Sequence, residues 1–323
     1  MQQAIAEQCA RLTENYQILR KCASAEHEEV ILAAAGIVTA AERTADPALY
    51  EESLAVLKSC TNVLSEYRGT GQFITVCKMA VSGDPAQYFS VTDSIYRTLH
   101  PKAIGSESAI TAAMILADSV QAPEDCGILA SRTLALYRRM KGMHRFLTDE
   151  YDLPFAAVMA VTGRGHEAIM GDAEACFSIL KSQKFAESNA IQSLSHVLAL
   201  YPGSAADKCA LVTELRAALK AAGHAYPAGG RLAMLGTMAG LGEPAAVLAE
   251  MIAEADDFLA AQECFSHVLS SPGTDARRMY AVQAAERALM GRNTGSAMLS
   301  ASISAAVAEA VMLWLVLMTA AGV

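Results

Sequence analysis

Three groups of residues have the types and spacings from which chemistry could be built. The first is His144-Arg145-Phe146-Leu147-Thr148-Asp149-Glu150-Tyr151-Asp152. Asp149, Glu150 and Asp152 offer hard oxygen ligands, and His144 with Thr148 beside it offers a base near a bound substrate. The segment has neither an HExxH pair nor a calcium loop with its central glycine and terminal glutamate, so no metal is assigned to it. Three acids ahead of an apolar run also suit the positive end of a helix dipole. The second group lies in Asn189-Ala190-Ile191-Gln192-Ser193-Leu194-Ser195-His196. Asn189, Gln192 and His196 sit at i, i+3 and i+7, on one face of a helix. A polar face in an apolar layer needs partners or a ligand, because unpaired buried groups are costly. The third is Arg68, in the turn Tyr67-Arg68-Gly69. Its guanidinium either clamps an anion or ties adjacent loops together.

Converged within hydrogen-bonding reach, these groups would make an enzyme. His196 or His144 would be the base, Asp149 or Asp152 the acid or metal ligand, and Arg68 the anion clamp. Apart, they mark a binding surface for a protein, a peptide or a small molecule. No P-loop, dinucleotide fingerprint or nucleophile elbow is present, and no cofactor is expected.

The elements that must position these residues read as helices. Ile5, Cys9, Leu12, Tyr16 and Leu19 form one stripe over 2–23. A more uniformly apolar helix follows over about 26–43. Asp46-Pro47 starts a third, with Tyr50, Leu54, Leu57 and Leu64 on its buried side. Phe73 to Val81 looks strand-like, but an isolated strand has no partner for its backbone, so it is assigned to a short buried helix.

The chain also repeats itself. Met79-Ala80-Val81-Ser82-Gly83 returns 80 residues later as Met159-Ala160-Val161-Thr162-Gly163. Met238-Ala239-Gly240-Leu241-Gly242 follows after another 79, and weaker copies at 116–119 and 198–201 give spacings of 37, 43, 39 and 40. Each copy ends a short apolar segment. A turn and a longer amphipathic helix follow, with stripes such as Leu211/Leu215/Leu219 and Leu248/Met251/Ile252/Ala255/Leu259. This pattern predicts an all-α fold, an α-solenoid-like array of helical hairpins with a repeat of about 40 residues. Residues 1–65 would cap its start, 66–292 would form the hairpins, and 293–323 would be an apolar capping helix, all in one continuous domain.

Composition sets the outer bounds. A chain of 323 residues, 53% apolar and 18% charged, builds a sizeable core. Its net charge of −9 argues against nucleic acid as a partner. Eight scattered cysteines, with no CxxC and no zinc spacing, read as reduced thiols of a cytoplasmic protein. The last 31 residues carry one charge, Glu309, inside the stretch long enough to span a bilayer. A carboxylate there costs about 2.5–3.5 kcal/mol, and no basic cluster flanks the stretch, so membrane attachment is not expected. The expectation is a helix over 296–321, packed on the last repeat or on a second subunit of a homo-oligomer.

Several of these segments resemble an uncharacterised family of helical bacterial proteins, known as a domain of unknown function. They are Tyr67-Arg68-Gly69, Gly83-Asp84-Pro85, Tyr137-Arg138-Arg139-Met140-Lys141, His144-Arg145-Phe146-Leu147-Thr148, Asn189 to His196, and Met234-Leu235-Gly236. The resemblance covers about residues 60 to 240. It implies a bacterial, cytoplasmic protein and supplies no activity, ligand or catalytic residue. Related sequences tend to place phenylalanine before Arg-Gly, where this chain has Tyr67.

Overall fold

The computed structural model describes residues 2–100, 106–266 and 273–290, together with Val307 and Val311. Among them the chain is helical and has no strand. Two compact units divide it, one of residues 1–13 and 165–311, the other of 14–164 and 312–323.

In the unit built on 14–164, the helices are the later part of α1 (Gln2–Cys22), α2 (Glu28–Ala40), α3 (Pro47–Cys60), α4 (Gln72–Ser82), α5 (Pro85–Leu99), α6 (Ser106–Ala117), α7 (Asp125–Met143) and α8 (Leu153–Val161). The strand-like run 73–81 is the body of α4, as its lack of a pairing partner requires. Asp46 caps α3 by accepting from the backbone N–H groups of Ala48 (2.8 Å) and Leu49 (3.5 Å), with Pro47 at the first helical position. Buried Asn15 fixes the turn after α2. Its Nδ2 donates to Thr39 Oγ1 (2.9 Å) and the Arg43 carbonyl (3.1 Å), and its Oδ1 accepts from Ala45 N (2.8 Å). Leu64 departs from expectation. It lies beyond the end of α3, in a loop, and is 90% exposed.

Short and long helices alternate. In α8 every residue from Leu153 to Ala160 is buried. In α7 only one face is, carrying Cys126, Ala130, Thr133, Leu136, Tyr137 and Met140. Long packs beside long, α5 on α7, and short beside short, α6 on α8.

The other unit contains α9 (His166–Ser182), α10 (Ser188–Leu198), α11 (Ala205–Ala221), α12 (Leu232–Leu235), α13 (Ala245–Ala260), α14 (Glu263–Ser266) and α15 (Thr274–Met290). Long helices α9, α11, α13 and α15 pack in succession, and α10 packs on α12. On α11 the buried stripe is Lys208, Val212, Leu215 and Leu219, so Val212 takes the place read for Leu211. The start of α1 joins this unit, and its Cys9 thiol donates to the Ala255 carbonyl of α13 (3.9 Å). The expected C-terminal helix lies outside the described residues, except that Val307 and Val311 are helical and buried.

The third copy of the repeated motif is wound differently from the others. After α12 the chain tightens into a 3₁₀ helix, Gly236–Gly240. This segment lies close against α10 and the residues just after it. A Cβ at Gly236 would lie 2.9 Å from Leu194 Cδ1 and Val197 Cγ1, and one at Gly240 would lie 2.4 Å from the buried Tyr201 ring. Overpacking of this kind costs about 1–3 kcal/mol, so Gly240→Ala is expected to lower the chemical-denaturation midpoint accordingly. Gly171, exposed in the middle of α9 with open space around it, is the contrast: Gly171→Ala should stabilise by about 0.5–1 kcal/mol.

Candidate functional site

Arg68 stands at the C-terminal end of α3. Its Nε donates to Thr61 Oγ1 (2.9 Å), and its Nη2 donates to the carbonyls of Lys58 (2.5 Å) and Thr61 (2.7 Å). The guanidinium thus ties two segments, and it meets helix-end carbonyls that have no intrahelical donor. Its neighbours in the 3₁₀ turn Glu66–Arg68 face α5. Glu66 accepts from the Tyr96 hydroxyl and lies 4.0 Å from His100 Nε2. The Tyr67 ring meets Phe89 at 5.1 Å and Tyr96 at 5.3 Å, both edge-on. The Tyr67 hydroxyl is buried and has no hydrogen-bond partner among the described residues. Burial pushes its pKa well above the usual phenol range. A phenylalanine at this position would leave nothing unsatisfied. A cleft of about 560 Å³ opens beside this turn, between Cys60–Tyr67 and the Phe89, Asp93 and Tyr96 face of α5.

In the same unit, the acids of the 144–152 segment work as a helix cap. Asp149 Oδ1 accepts from Tyr151 N (2.9 Å), and Asp152 Oδ2 accepts from Asp149 N (3.0 Å). This is a reciprocal capping box at the entry to α8. Thr148 and Asp152 are buried, His144 is half-buried and Asp149 is exposed. Glu107, in the first turn of α6, connects this turn with Arg68's. Its Oε1 lies 3.4 Å from where a Gly69 Cβ would stand, and its charge is among those acting on the Tyr151 phenol.

Asn189, Gln192 and His196 lie on α10, in the other unit. Asn189 is exposed at the start of the helix, whereas Gln192 and His196 are buried. Two hydroxyls turn back on the helix itself: Ser193 Oγ donates to the Asn189 carbonyl (3.3 Å) and Ser195 Oγ to that of Ile191 (2.7 Å). That accounts for two of the five polar side chains without any ligand.

A cluster absent from the sequence reading centres on Asp256 of α13, which is buried. His224 Nδ1 lies 2.8 Å from its Oδ2, Arg277 Nε 2.6 Å from its Oδ1, and Arg278 Nε 3.5 Å from its Oδ2. Arg278 also donates to the carbonyls of Ala225 (2.5 Å) and Gly223 (3.3 Å). One carboxylate thereby joins the loop after α11 to α13 and α15. Burial pushes its pKa up, but the hydrogen bonds from Arg277 and His224 and the charges of Arg277 and Arg278 outweigh it and hold the carboxyl below its ordinary range. The signal was there to read. Asp256 sits one turn after Ile252 and three residues before Leu259, inside the apolar stripe of α13. Lys208 is a second such case, buried on α11 with its Nζ 2.9 Å from Asp172 Oδ2 and 3.1 Å from the Tyr201 carbonyl.

These features describe an all-helical protein whose recognisable polar groups mostly close helix ends and join neighbouring helices. The family model described as "Protein of unknown function (DUF4003)" matches residues 15–308, and the chain belongs to that family. The resemblance read from the sequence is borne out in this. The chain is also similar to the uncharacterized protein YeaA of Bacillus subtilis (strain 168), 36% identical over 67 residues. That stretch is 21% of this chain and 20% of YeaA, so the match spans about a fifth of the relative's length. No solved structure matches the chain. The family description assigns no activity, and none transfers.

Two outcomes follow from the geometry. Arg68→Ala should destabilise the protein by about 1.5–3 kcal/mol, the range for hydrogen bonds to a charged donor. Arg68→Lys should recover little of it, because an ammonium cannot reproduce the forked contacts. Both are read from urea midpoints. Asp256→Asn removes one partner of a buried ion cluster and should cost about 3–5 kcal/mol. The wild-type contribution of a depressed carboxyl is complete above its unfolded pKa, near 4, and is lost as pH falls through the lower folded value. The stability difference between wild type and Asp256→Asn should therefore shrink on acidification below about pH 4, measured by denaturation across pH.

Proposed function

We propose that this protein is a helical-repeat binding or scaffold protein of the cytoplasm, an α-solenoid-like array of hairpins with a repeat of about 40 residues. Packing of long helix beside long and short beside short supports the repeat. So does backbone geometry: Gly83, Gly163 and Gly242, which close the three related motifs, adopt left-handed φ values of 79°, 70° and 72°. Only glycine takes that conformation cheaply, and it ends a helix. Eight free cysteines fit a reducing compartment. Among the described residues no helix is long and apolar enough to cross a membrane.

The observation that carries the binding reading is the cleft beside Arg68. Tyr67, Phe89 and Tyr96 line it together with polar side chains such as Asn62, Asp93 and Arg97, and Val63 and Leu64 beside them are 79% and 90% exposed. Apolar side chains held in solvent over a cleft of mixed lining gain by covering an apolar segment of a partner. Catalysis is less well supported, since Asp149, Asp152 and Arg68 already serve helix ends. The test is a peptide library panned on the full chain, with selected peptides titrated against wild type and a Val63→Asp/Leu64→Asp variant. Affinity should fall at least tenfold while the melting temperature holds, because both side chains lie in solvent. Peptides that bind both proteins equally would remove the cleft from this reading.

A further inference from the structure

From Cys126 to Thr148 the chain carries Arg132, Arg138, Arg139, Lys141 and Arg145 and no acid, within a protein of net charge −9. Arg132 is half-buried and donates to the Arg164 carbonyl. The other four are exposed. Three lie on the last turns of α7 and Arg145 lies in the tight turn that follows, where the N–H groups of Leu147 (3.0 Å) and Thr148 (2.9 Å) both donate to the His144 carbonyl. Phe146 is at the apex of that turn and is 98% exposed, with Met143 beside it at 39%. The turn is fixed from below. Thr148 is buried, and the reciprocal cap of Asp149 and Asp152 follows it at once.

Cations at a helix C-terminus suit the dipole, but that accounts for Lys141 in the last turn and says nothing of Phe146. A buried position is available to most phenylalanines, and this one is held in water by an ordered turn. We propose that the end of α7 is a docking tip for an anionic lipid surface, with Phe146 entering the interface and Arg138, Arg139, Lys141 and Arg145 against the headgroups. Clusters of four or more cations beside an apolar anchor recognise such surfaces, and aromatic rings favour the headgroup level. The tip's cations and Phe146 are exposed, and none of its residues line the cleft beside Arg68. A projecting ring needs a medium that deforms around it, which a bilayer interface supplies. Arg138, Arg139 and Lys141 lie within about 5 Å of helical rise, and Arg145 follows in the turn, so these charges reach one patch of surface. At physiological ionic strength the screening length is about 8 Å, so distant acids weaken this contact little, and exposed Asp149, close enough for Lys141 to act on its carboxyl, is the acid that offsets part of it. The contact is peripheral and requires no spanning segment. It also stands apart from the binding cleft, so either can fail without the other.

The test is sedimentation of the full chain with vesicles of phosphatidylcholine alone or with 30% phosphatidylglycerol, a composition on the order of anionic bilayers. Binding is expected to the anionic vesicles only, and to be lost in high salt. Arg145→Glu and Arg138→Glu should each lower the partition coefficient about fivefold or more, the factor for one cation at a charged surface. Phe146→Ser should lower it without changing its salt dependence, and Arg138→Lys/Arg145→Lys should keep it, because headgroups read point charge. Circular dichroism should show all variants folded, as every changed side chain is exposed. Equal binding to neutral vesicles, no binding to either, or full binding by Phe146→Ser overturns the proposal. So does loss of binding in the Arg→Lys variant, because a surface read by charge alone would accept lysine.

Discussion

A nine-residue helix such as Leu153–Val161 has no face to offer water. Eight of its residues are buried, and no helix this short is stable in isolation. It must be enclosed by its neighbours, and that requirement explains much of the rest. The long helices α5, α7 and α9 are amphipathic because each covers a short one and still faces solvent. The glycines that end the short helices let the chain reverse direction at once. At Gly236 and Gly240 the enclosure is tight enough that a side chain would collide with α10 at the first and with Tyr201, just beyond α10, at the second.

Within such a framework, polar groups are spent where helices end. Arg68 closes α3, Asp149 and Asp152 cap the 3₁₀ turn that leads into α8, and Asn15 holds the turn after α2. Asp256 gathers one histidine and two arginines from separate segments. Such groups specify which helix meets which, a role apolar packing performs less selectively. The same economy explains why residues that look catalytic in a list of types have local structural tasks.

Helix content, the buried nature of 73–81 and the boundaries set by Asp46-Pro47 were legible because each rests on local rules. Leu64 was misplaced because periodicity was carried past Cys60, where the helix had no cap signal to stop it. Leu211 and Val212 are adjacent, and a stripe read from leucines alone chose the wrong one. Arg68 was legible as a tie between loops, but not which carbonyls it would meet, since those come from a segment seven to ten residues earlier whose end was not located. The Asp256 cluster depends on contacts between residues 224, 256 and 277, separated by more than 20 positions. No local pattern encodes that meeting, although a carboxylate inside an apolar stripe announces that some partner exists.

The distribution of thiols gives the molecule a native chemical handle. Six of the eight cysteines are buried, Cys22 is partly covered, and Cys60 is exposed. Thiolate chemistry follows access, and burial pushes the Cys77 thiol and the Cys9 thiol up, the latter to about 12. Cys60 sits on the wall of the cleft beside Arg68. Alkylating reagents applied to the folded chain would thus be directed there without any engineered residue. An environment-sensitive dye on that sulfur would turn occupancy of the cleft into an optical signal.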